Sequence, residues 1–278
     1  MNLSIITINL NNRDGLQKTI ESVLSQTWTD FEWIIIDGGS TDGSRELIEQ
    51  YQEHFAYWCS EPDKGVYNAM NKGIAKAKGT YLNFMNSGDV FFEADTLSIT
   101  FSQERTVDIL YGDWVEKYDN REEKKEISLC DLFKSLWKCN ICHQAMFIKS
   151  TLLKAKGYDE SFKLLADLKW NTEALLAGKT FGHIRLVICK YDMYGMSSGK
   201  MTIEKRKERQ IILSLYPDYM QYAIEELNDY DMDHYVQVVK ELREYNSFWD
   251  YLARGCLNVL FLAMLIIRKI TKICNLKS

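Results

Sequence analysis

The first 90 residues repeat one pattern of strand, turn and helix, and this repeat constrains the fold more than any other feature of the chain. Short β-branched runs such as Leu3–Ile8 and Phe31–Ile36 are followed by a polar turn and then by a segment of helical period. Two further strands are predicted near Ala56–Cys59 and at Thr80–Met85. Strands that alternate with helices pair in parallel through right-handed crossovers. The sequence therefore predicts an α/β fold with an open, mostly parallel sheet flanked by helices.

Three polar clusters follow strands of this predicted sheet. They span 9–12, 37–42 and 86–89, and they consist mainly of Asn, Asp, Ser and Gly. These residues are common in turns, so loop geometry alone explains any single cluster. The ligands of open α/β sheets, however, bind beyond the carboxyl ends of the strands, where such loops meet. Three successive clusters therefore favour a binding site that suits a sugar hydroxyl, a nucleobase edge or a hard cation.

The alternation becomes less regular in the second part of the chain. A strand is predicted at Val107–Tyr111, and the charge-dense segment 116–126 is predicted to be a solvent-exposed hairpin or loop. The apolar segment Cys142–Ile148 is compatible with another strand. A helix is predicted over Leu164–Leu176, with Asp167 near its start. An acid in the first turn of a helix is often only a cap, so its position alone leaves Asp167 either a cap or a catalytic group.

Composition and charge exclude several classes of protein. With 278 residues, 46% hydrophobic and 26% charged, the chain has enough apolar sequence for a large core and is neither wholly disordered nor a polytopic membrane protein. The net charge of −5 argues against nucleic acid as a partner, because such binding needs an excess of Lys and Arg to neutralise phosphates. The first residues lack the basic and apolar regions of a signal peptide, which predicts a cytoplasmic protein.

The seven cysteines are predicted to be free thiols of a reducing compartment, because they are scattered and odd in number. The segment Cys139–His143 matches the C-x-x-C-H pattern of covalent haem attachment. That modification follows export, for which the sequence carries no signal, and no second pair of zinc ligands lies at a suitable spacing. We therefore expect neither haem nor structural zinc at this segment.

Six motifs, in their order along the chain, resemble the family 2 glycosyltransferases of GT-A fold. They are T-x-N-x-N-N from Thr7, I-D-G-G-S-T-D-G-S from Ile36, P-D-K-G-V-Y-N-A-M-N-K-G-I-A-x-A-x-G from Pro62, Y-L-N-F-M-N-S-G-D from Tyr81, H-Q at His143 and L-A-D-L-K-W from Leu165. The resemblance covers about Leu3 to Ser198 and is closest to the bacterial branch that builds cell-surface polysaccharides, in which the metal motif N-S-G-D stands where other members carry D-x-D. It implies an inverting enzyme that moves a hexosyl or N-acetylhexosaminyl group from a nucleotide-diphosphate donor to a glycan or lipid-linked acceptor.

The resemblance also implies roles for individual residues. Asp167 matches the base that takes the proton of the acceptor hydroxyl, and Asp89 matches the ligand of a divalent metal, Mg²⁺ or Mn²⁺, that stabilises the departing diphosphate. The residues that match nucleotide-binding positions are Thr7, Asn9, Asp37, Asp63 and Lys64, and those that match donor-sugar or acceptor positions are Asp113, His143 and Gln144. For Thr7 and His143 the alternative is a structural role in the core.

The chain departs from the family pattern at three positions. Asn68, Asn86 and Gly88 stand where relatives often carry Asp, and the last two belong to the metal motif. One carboxylate, with diphosphate oxygens and water, is enough for Mg²⁺, which keeps several waters by preference. We therefore expect weak metal binding in the absence of the donor.

Two other functions are compatible with the sequence. The reduced metal motif would suit a non-catalytic subunit that binds nucleotide-sugars. A nucleotidyltransferase would use a similar sheet, but it usually has a Gly-rich loop with Arg or Lys after the first strand, where this chain has Asn9–Arg13. The processive synthases of the family carry a Q-x-x-R-W motif and several membrane spans, which this sequence lacks, and this favours the addition of one sugar per encounter.

The carboxyl-terminal part is predicted to be a helical extension, which divides the chain into a transferase domain at 1–200 and an extension at 201–278. The run Leu257–Ile267 is the most apolar of the chain, but eleven helical residues extend only about 16 Å against about 30 Å of bilayer hydrocarbon. Aromatic and basic residues flank it. They predict either a helix at about 248–273 that lies on the inner face of the cell membrane or a contact with another protein surface.

Overall fold

A mixed sheet of nine strands forms the centre of the amino-terminal part of the protein. The structure is a computed structural model that describes residues 2–129, 132, 140–192, 202–216 and 221. The chain separates into two compact units, Met1–Leu215 and Tyr216–Ser278, and every element named below belongs to the first. The helix predicted at about 248–273 lies outside the described residues. Within the described ranges no helix is both long and apolar enough to cross a membrane.

The first half of the sheet is parallel, with the strands in the order β3-β2-β1-β4. Its strands are β1 (Leu3–Asn9), β2 (Phe31–Asp37), β3 (Tyr57–Ser60) and β4 (Tyr81–Phe84). The helices that connect them are α1 (Arg13–Leu24), α2 (Ser44–Gln50) and α3 (Val66–Lys76). A short 3₁₀ turn at Gln52–His54 precedes β3. This half confirms the α/β fold that the alternation of strands and helices predicts.

The second half of the sheet is mixed and continues as β4-β8-β6-β9-β5, with β7 paired to the distal part of β6. Its strands are β5 (Val90–Phe91), β6 (Ile109–Lys117), β7 (Glu122–Lys125), β8 (Met146–Lys149) and β9 (Phe181–Asp192). The helices here are α4 (Thr96–Thr100), α5 (Ser150–Ala155), α6 (Ala166–Leu176) and α7 (Ile203–Leu213). β8 runs antiparallel to both of its neighbours, whereas β6 and β9 are parallel. The charge-dense segment 116–126 includes the end of β6 and most of its hairpin with β7.

The central strands are buried on both faces, which explains why they read as continuous apolar runs. All seven residues of β1 are buried, including the polar Ser4 and Thr7. Helix α3 packs closely against this strand, because a Cβ built at Gly73 would lie 2.4 Å from Cγ2 of Ile6. The three cysteines within the described ranges are unbonded thiols, as predicted.

The register of the strands brings the three polar clusters to the same edge of the sheet. Asn9 is paired with Asp37, and Asp37 with Ser60, at the carboxyl ends of the first three strands. The segment after β4 stays beside β1, since the backbone N–H of Ser87 donates to the carbonyl of Ile8. The carboxyl edge of the parallel half is therefore the place where the predicted site residues begin to meet.

Candidate active site

The carboxylate of Asp37 is fully buried and accepts five hydrogen bonds. Oδ1 accepts from Asn9 Nδ2 at 2.7 Å and from Ser40 Oγ at 2.5 Å, and Oδ2 accepts from Ser60 Oγ at 2.6 Å and from the backbone N–H groups of Gly39 and Ser40. Burial would raise the pKa of Asp37, but these hydrogen bonds together outweigh it and lower the pKa. Asp37 is thus an ionised anchor of its loop, and a ligand would reach its oxygens only by replacing one of these donors.

Thr7 and Asn9, at the end of β1, differ in whether their side chains keep a polar atom that could bind a ligand. The Thr7 hydroxyl donates to the carbonyl of Met85 at 2.7 Å and accepts from the indole N–H of Trp33 at 3.0 Å, which is the structural role named as its alternative. Asn9 donates to Asp37, while its Oδ1 is buried and accepts no hydrogen bond from the residues that the structure describes. Buried amide oxygens are rarely left unpaired, so this atom is suited to accept from a bound ligand.

Asp63 lies in the loop before α3 and faces the end of β2. Its Oδ1 forms an ion pair with Nζ of Lys72 at 2.6 Å, and its Oδ2 would lie 3.1 Å from a Cβ built at Gly38. Lys72 also pairs with Glu61 at 2.8 Å, and the two carboxylates raise the pKa of Lys72 well above its usual range. The side chain of Lys64 is exposed beside Asp63. This loop thus places an acidic and a basic side chain at the rim of the first two polar clusters.

Asn68 has a local reason to be Asn rather than Asp. Its Nδ2 donates to Oε2 of Glu160 at 2.9 Å, and Nδ2 of Asn71 donates to Oε1 of the same carboxylate at 2.9 Å. These bonds, with that of Asn71 the larger, lower the pKa of Glu160. An Asp at position 68 would place a second carboxylate against Glu160. Asn68 therefore fastens α3 to the segment that precedes α6.

The carboxylate of Asp89 is buried at the end of the N-S-G-D turn. Gly88 has a φ of +104°, a conformation that L side chains rarely adopt, and the backbone N–H of Asp89 donates to the carbonyl of Asn86 at 3.0 Å. The amide nitrogen of Gln144 donates to Oδ2 of Asp89, and the thiol of Cys142 donates to Oε1 of Gln144 at 3.0 Å. Gln144 is only 1% exposed, so in this structure it orients Asp89 from within the protein.

The residues around Asp89 offer one carboxylate to a divalent metal and no complete set of protein ligands within the described ranges. Within the described ranges no group of three or more His, Cys, Asp or Glu side chains could hold a metal ion. The carboxylate of Asp89 is nevertheless a hard oxygen ligand of the kind that Mg²⁺ and Mn²⁺ prefer. This donor set fits a metal that takes its remaining ligands from a diphosphate and from water.

Asp167 lies in the first turn of α6 and collects polar side chains from distant parts of the chain. The hydroxyl of Tyr67 donates to Oδ1 at 3.1 Å, Nδ2 of Asn140 donates to Oδ2 at 2.6 Å, and Nδ1 of His143 lies 3.4 Å from Oδ2. Burial, with the nearby Asp167 carboxylate, raises the pKa of Tyr67, so the phenol remains a donor. The carboxylate is 13% exposed and therefore reachable. This arrangement differs from that of a simple helix cap.

His143 joins Asp167 to the N-S-G-D turn. Its Nε2 lies 2.9 Å from Nδ2 of Asn86, while its Nδ1 faces Asp167. The turn is also tied to the first polar cluster, because Nδ2 of Asn12 donates to the carbonyl of Ser87 at 3.0 Å. The side chains of Asp167, His143 and Asn86 thus connect the predicted base to the turn that carries the predicted metal ligand.

Asp113 lies on β6, and its contacts differ from those of the other predicted residues. Nε2 of His183, on the neighbouring strand β9, lies 2.8 Å from one oxygen of the Asp113 carboxylate. Nζ of Lys124, on the neighbouring strand β7, lies 2.8 Å from the other. No hydrogen bond or ion pair of the described residues links Asp113 directly to Asp89 or Asp167. Its role toward an acceptor stays a prediction.

Tyr67 and Asn140 contribute to the site but are absent from the residues predicted from sequence. Tyr67 stands inside the P-D-K-G-V-Y motif, and its place in that motif could have marked it as a candidate site residue. Asn140 follows the C-x-x-C-H segment's first cysteine, where nothing in the local pattern indicates contact with a residue 27 positions later. Both donate hydrogen bonds to the carboxylate of Asp167, and only the folded chain reveals such contacts.

Comparison with known proteins identifies the family of this chain. The sequence profile of Glycosyl transferase family 2 matches residues 4–162. An uncharacterized glycosyltransferase of Mycobacterium tuberculosis is 37% identical over 204 residues, which cover 71% of this chain and 78% of the relative. A PGL/p-HBAD biosynthesis glycosyltransferase of Mycobacterium bovis is 32% identical over 200 residues, or 69% of this chain and 77% of the relative.

A solved structure shares the fold. The crystal structure of Staphylococcus aureus TarS, residues 1–349 in complex with UDP-GlcNAc, matches with a TM-score of 0.64 and 17% identity, over 81% of this chain and 70% of that one. The mixed sheet with its flanking helices is therefore the GT-A architecture that the motifs imply. The chain belongs to glycosyltransferase family 2 and is a glycosyltransferase of GT-A fold.

Proposed function

We propose that this enzyme transfers a hexosyl or N-acetylhexosaminyl group, with inversion, from a nucleotide-diphosphate donor to a hydroxyl of a glycan or lipid-linked acceptor in cell-surface polysaccharide biosynthesis. The observation that carries the proposal is the carboxylate of Asp167, held by Tyr67 and Asn140 and linked through His143 to the N-S-G-D turn. A direct displacement requires the base to be held close to the group that stabilises the departing diphosphate, and these contacts between Asp167 and the turn that ends in Asp89 support such an arrangement.

Asp167 would act as the general base. As the acceptor oxygen attacks the anomeric carbon, its proton passes to a carboxylate oxygen of Asp167, and the bond between that carbon and the diphosphate oxygen breaks. Attack opposite the leaving group inverts the configuration. Such a base contributes about 10²–10⁴-fold to the rate. The donors from Tyr67 and Asn140 would fix the direction in which the carboxylate receives the proton.

The first two polar clusters would bind the nucleotide. The unpaired Oδ1 of Asn9 is suited to accept from a base or ribose group, and Asp63 with Lys64 lies at the rim where ribose and phosphate would pass. Asp37 would support this pocket by holding its loop, and Thr7 by joining β1 to the segment after β4. Asp89 would hold a divalent metal, which when bound supplies positive charge against the departing diphosphate.

The comparisons support the donor and acceptor classes. The structure of TarS that shares this fold contains UDP-GlcNAc, a nucleotide-diphosphate donor, and the Mycobacterium bovis relative is named for the biosynthesis of PGL and p-HBAD. We therefore propose a donor of the first kind and a glycan or lipid-linked acceptor. The proposed place of action is the cytoplasm, at the inner face of the cell membrane.

The test is donor turnover by the full chain with uridine, guanosine and thymidine diphospho-sugars in Mg²⁺ or Mn²⁺. Asp167→Asn should lower kcat by about 10²-fold or more, because the amide cannot take the proton. Asp89→Ala should lower it as well, while the exposed Asp119→Asn serves as the matched control. Product anomers seen by NMR report inversion. If both site variants turn over donor as the wild type does, the assigned roles are wrong.

The second candidate is a nucleotide-sugar-binding subunit without turnover, which the single metal carboxylate favours. A donor that raises the melting temperature in the complete absence of hydrolysis and transfer would support it. The same panel of donors therefore separates the two functions.

A further inference from the structure

The side chain of Asn86, at the start of the N-S-G-D turn, contacts a histidine. Its Nδ2 lies 2.9 Å from Nε2 of His143, and Nδ1 of the same ring lies 3.4 Å from Oδ2 of Asp167. We infer that Asn86 holds His143 in the Nδ1–H tautomer, so that the ring presents a proton to Asp167 and positions this carboxylate for its task. The inference rests on the proposed role of Asp167 as the base, and it makes Asn86 and His143 positioning residues.

In the observed orientation of Asn86, both neighbours of the ring favour the same tautomer. A neutral imidazole has one N–H donor and one bare acceptor nitrogen. The amide nitrogen of Asn86 can only donate, so it favours a bare Nε2. The carboxylate of Asp167 can only accept, so it favours a proton on Nδ1, because a lone pair there would face a negative oxygen. His143 is only 17% exposed, so water has limited access to replace either partner.

An Asp at position 86 would reverse this arrangement. Its carboxylate would require a proton on Nε2, and the neutral ring would then turn the lone pair of Nδ1 toward Asp167. The ring would otherwise take both protons and form a charged bridge between two carboxylates. Asn at position 86 therefore allows a neutral His143 to present a proton to Asp167, which an Asp would not.

The competing arrangement is a rotated Asn86 amide. In the observed orientation its Oδ1 is buried and accepts no hydrogen bond from the described part of the chain. Rotation by half a turn would place Oδ1 against His143 and require an Nε2–H ring, with a bare Nδ1 against Asp167. The two arrangements differ in one proton on one ring, which is a property that can be measured directly.

The decisive measurement is the tautomer of His143 in the full chain labelled with ¹⁵N-histidine. The protein has only four histidines, and His143→Gln or His143→Asn identifies the resonance. In a long-range ¹H–¹⁵N spectrum at neutral pH, a protonated and a bare ring nitrogen have well-separated shifts. We expect a protonated Nδ1 and a bare Nε2. An Nε2–H ring overturns the inference, and so does a doubly protonated one. Because this readout needs no substrate, it is independent of whether the proposed function holds.

Variants of both residues test the consequence for catalysis. Asn86→Asp should protonate Nε2 in the same spectrum and lower kcat by about 10- to 100-fold, a part of what the base contributes, with little change in the KM for the donor. His143→Asn keeps an N–H donor where Nδ1 was and should retain more activity than His143→Gln. The exposed Asn120→Asp is the matched control and should behave as the wild type.

A double mutant separates this effect from any direct role of Asn86 toward the metal. In the His143→Asn background the ring is absent, so adding Asn86→Asp should lower kcat no further. If the two losses multiply, Asn86 acts independently of His143 and the inference fails. Circular dichroism melts of each variant confirm that folded proteins are compared.

Discussion

Asp37 contributes to stability through a lowered pKa, and the sign of its pH dependence follows from its partners. Burial opposes the charge, but the donors Ser40, Ser60 and Asn9 lower the pKa of the folded protein. The unfolded value is about 3.9. The contribution is therefore complete above the unfolded pKa and is lost as the pH falls through the lower, folded pKa.

Asp37→Asn should lower the free energy of unfolding by about 2 kcal/mol at neutral pH, because an amide nitrogen would face donors that now have an acceptor. The difference from the wild type should shrink as the pH falls below about 4, where the wild type loses the same contribution. Melting temperatures measured by circular dichroism at neutral pH and at a pH below about 4 report this difference in stability. The exposed Asp119→Asn is the control. An equal difference at both pH values would contradict the proposed ionised anchor.

At the scale of single residues, the sequence identifies carboxylates better than their partners. Asp89 and Asp167 stand in motifs that predict them as site residues, and in the fold Asp167 is linked through His143 and Asn86 to the turn that ends in Asp89. The donors that hold them come from far along the chain: Tyr67 is 100 positions from Asp167, and Gln144 is 55 positions from Asp89. Such pairings depend on packing, and no local pattern encodes them.

At the scale of elements, the strands of the parallel half of the sheet are all predictable, whereas the mixed half is predictable only in part, at β6, its hairpin with β7 and helix α6. β1, β2 and β4 are covered on both faces, so their apolar runs are long enough to recognise. β5 has two residues and depends on its pairing with β9. The segment predicted as one strand at Cys142–Ile148 instead opens with a 3₁₀ turn at His143–Ala145 before β8. That turn, whose first residue is His143, directs the ring toward the site.

The close packing of α3 on β1 gives a prediction that runs against helix propensity. Gly73→Ala should destabilise the protein by about 1–3 kcal/mol, because the added Cβ would lie 2.4 Å from Cγ2 of the buried Ile6. Propensity alone would favour Ala by about 1 kcal/mol. Ala75→Gly, at an exposed position two residues along the same helix, should also destabilise the protein, because only helix propensity acts there. Denaturant unfolding measures both, and a more stable Gly73→Ala variant would show that the helix can shift away from the strand.

At the scale of the whole molecule, a metal site with one protein carboxylate makes metal and donor binding depend on each other. The described residues hold no cluster that could retain a metal ion alone, and Asp89 supplies the carboxylate that the proposed site requires. If the diphosphate completes the coordination, each ligand must increase the affinity for the other by the same factor. A protein with a complete metal site of its own would bind the ion without the donor and show little such coupling.

The full chain should therefore gain little melting temperature from Mn²⁺ alone, some from a nucleotide-diphospho-sugar alone, and more from both than the sum of the two. A ligand at one hundred times its Kd stabilises by about 2.7 kcal/mol, which is readily detected as a shift in melting temperature. Asp89→Asn should abolish the excess but keep the metal-free response to the donor, because the proposed nucleotide pocket is formed by the other two polar clusters. Asp119→Asn should retain the excess. A full shift from Mn²⁺ alone, or an excess that persists without the Asp89 carboxylate, would show that the metal binds elsewhere and that the N-S-G-D turn has another task.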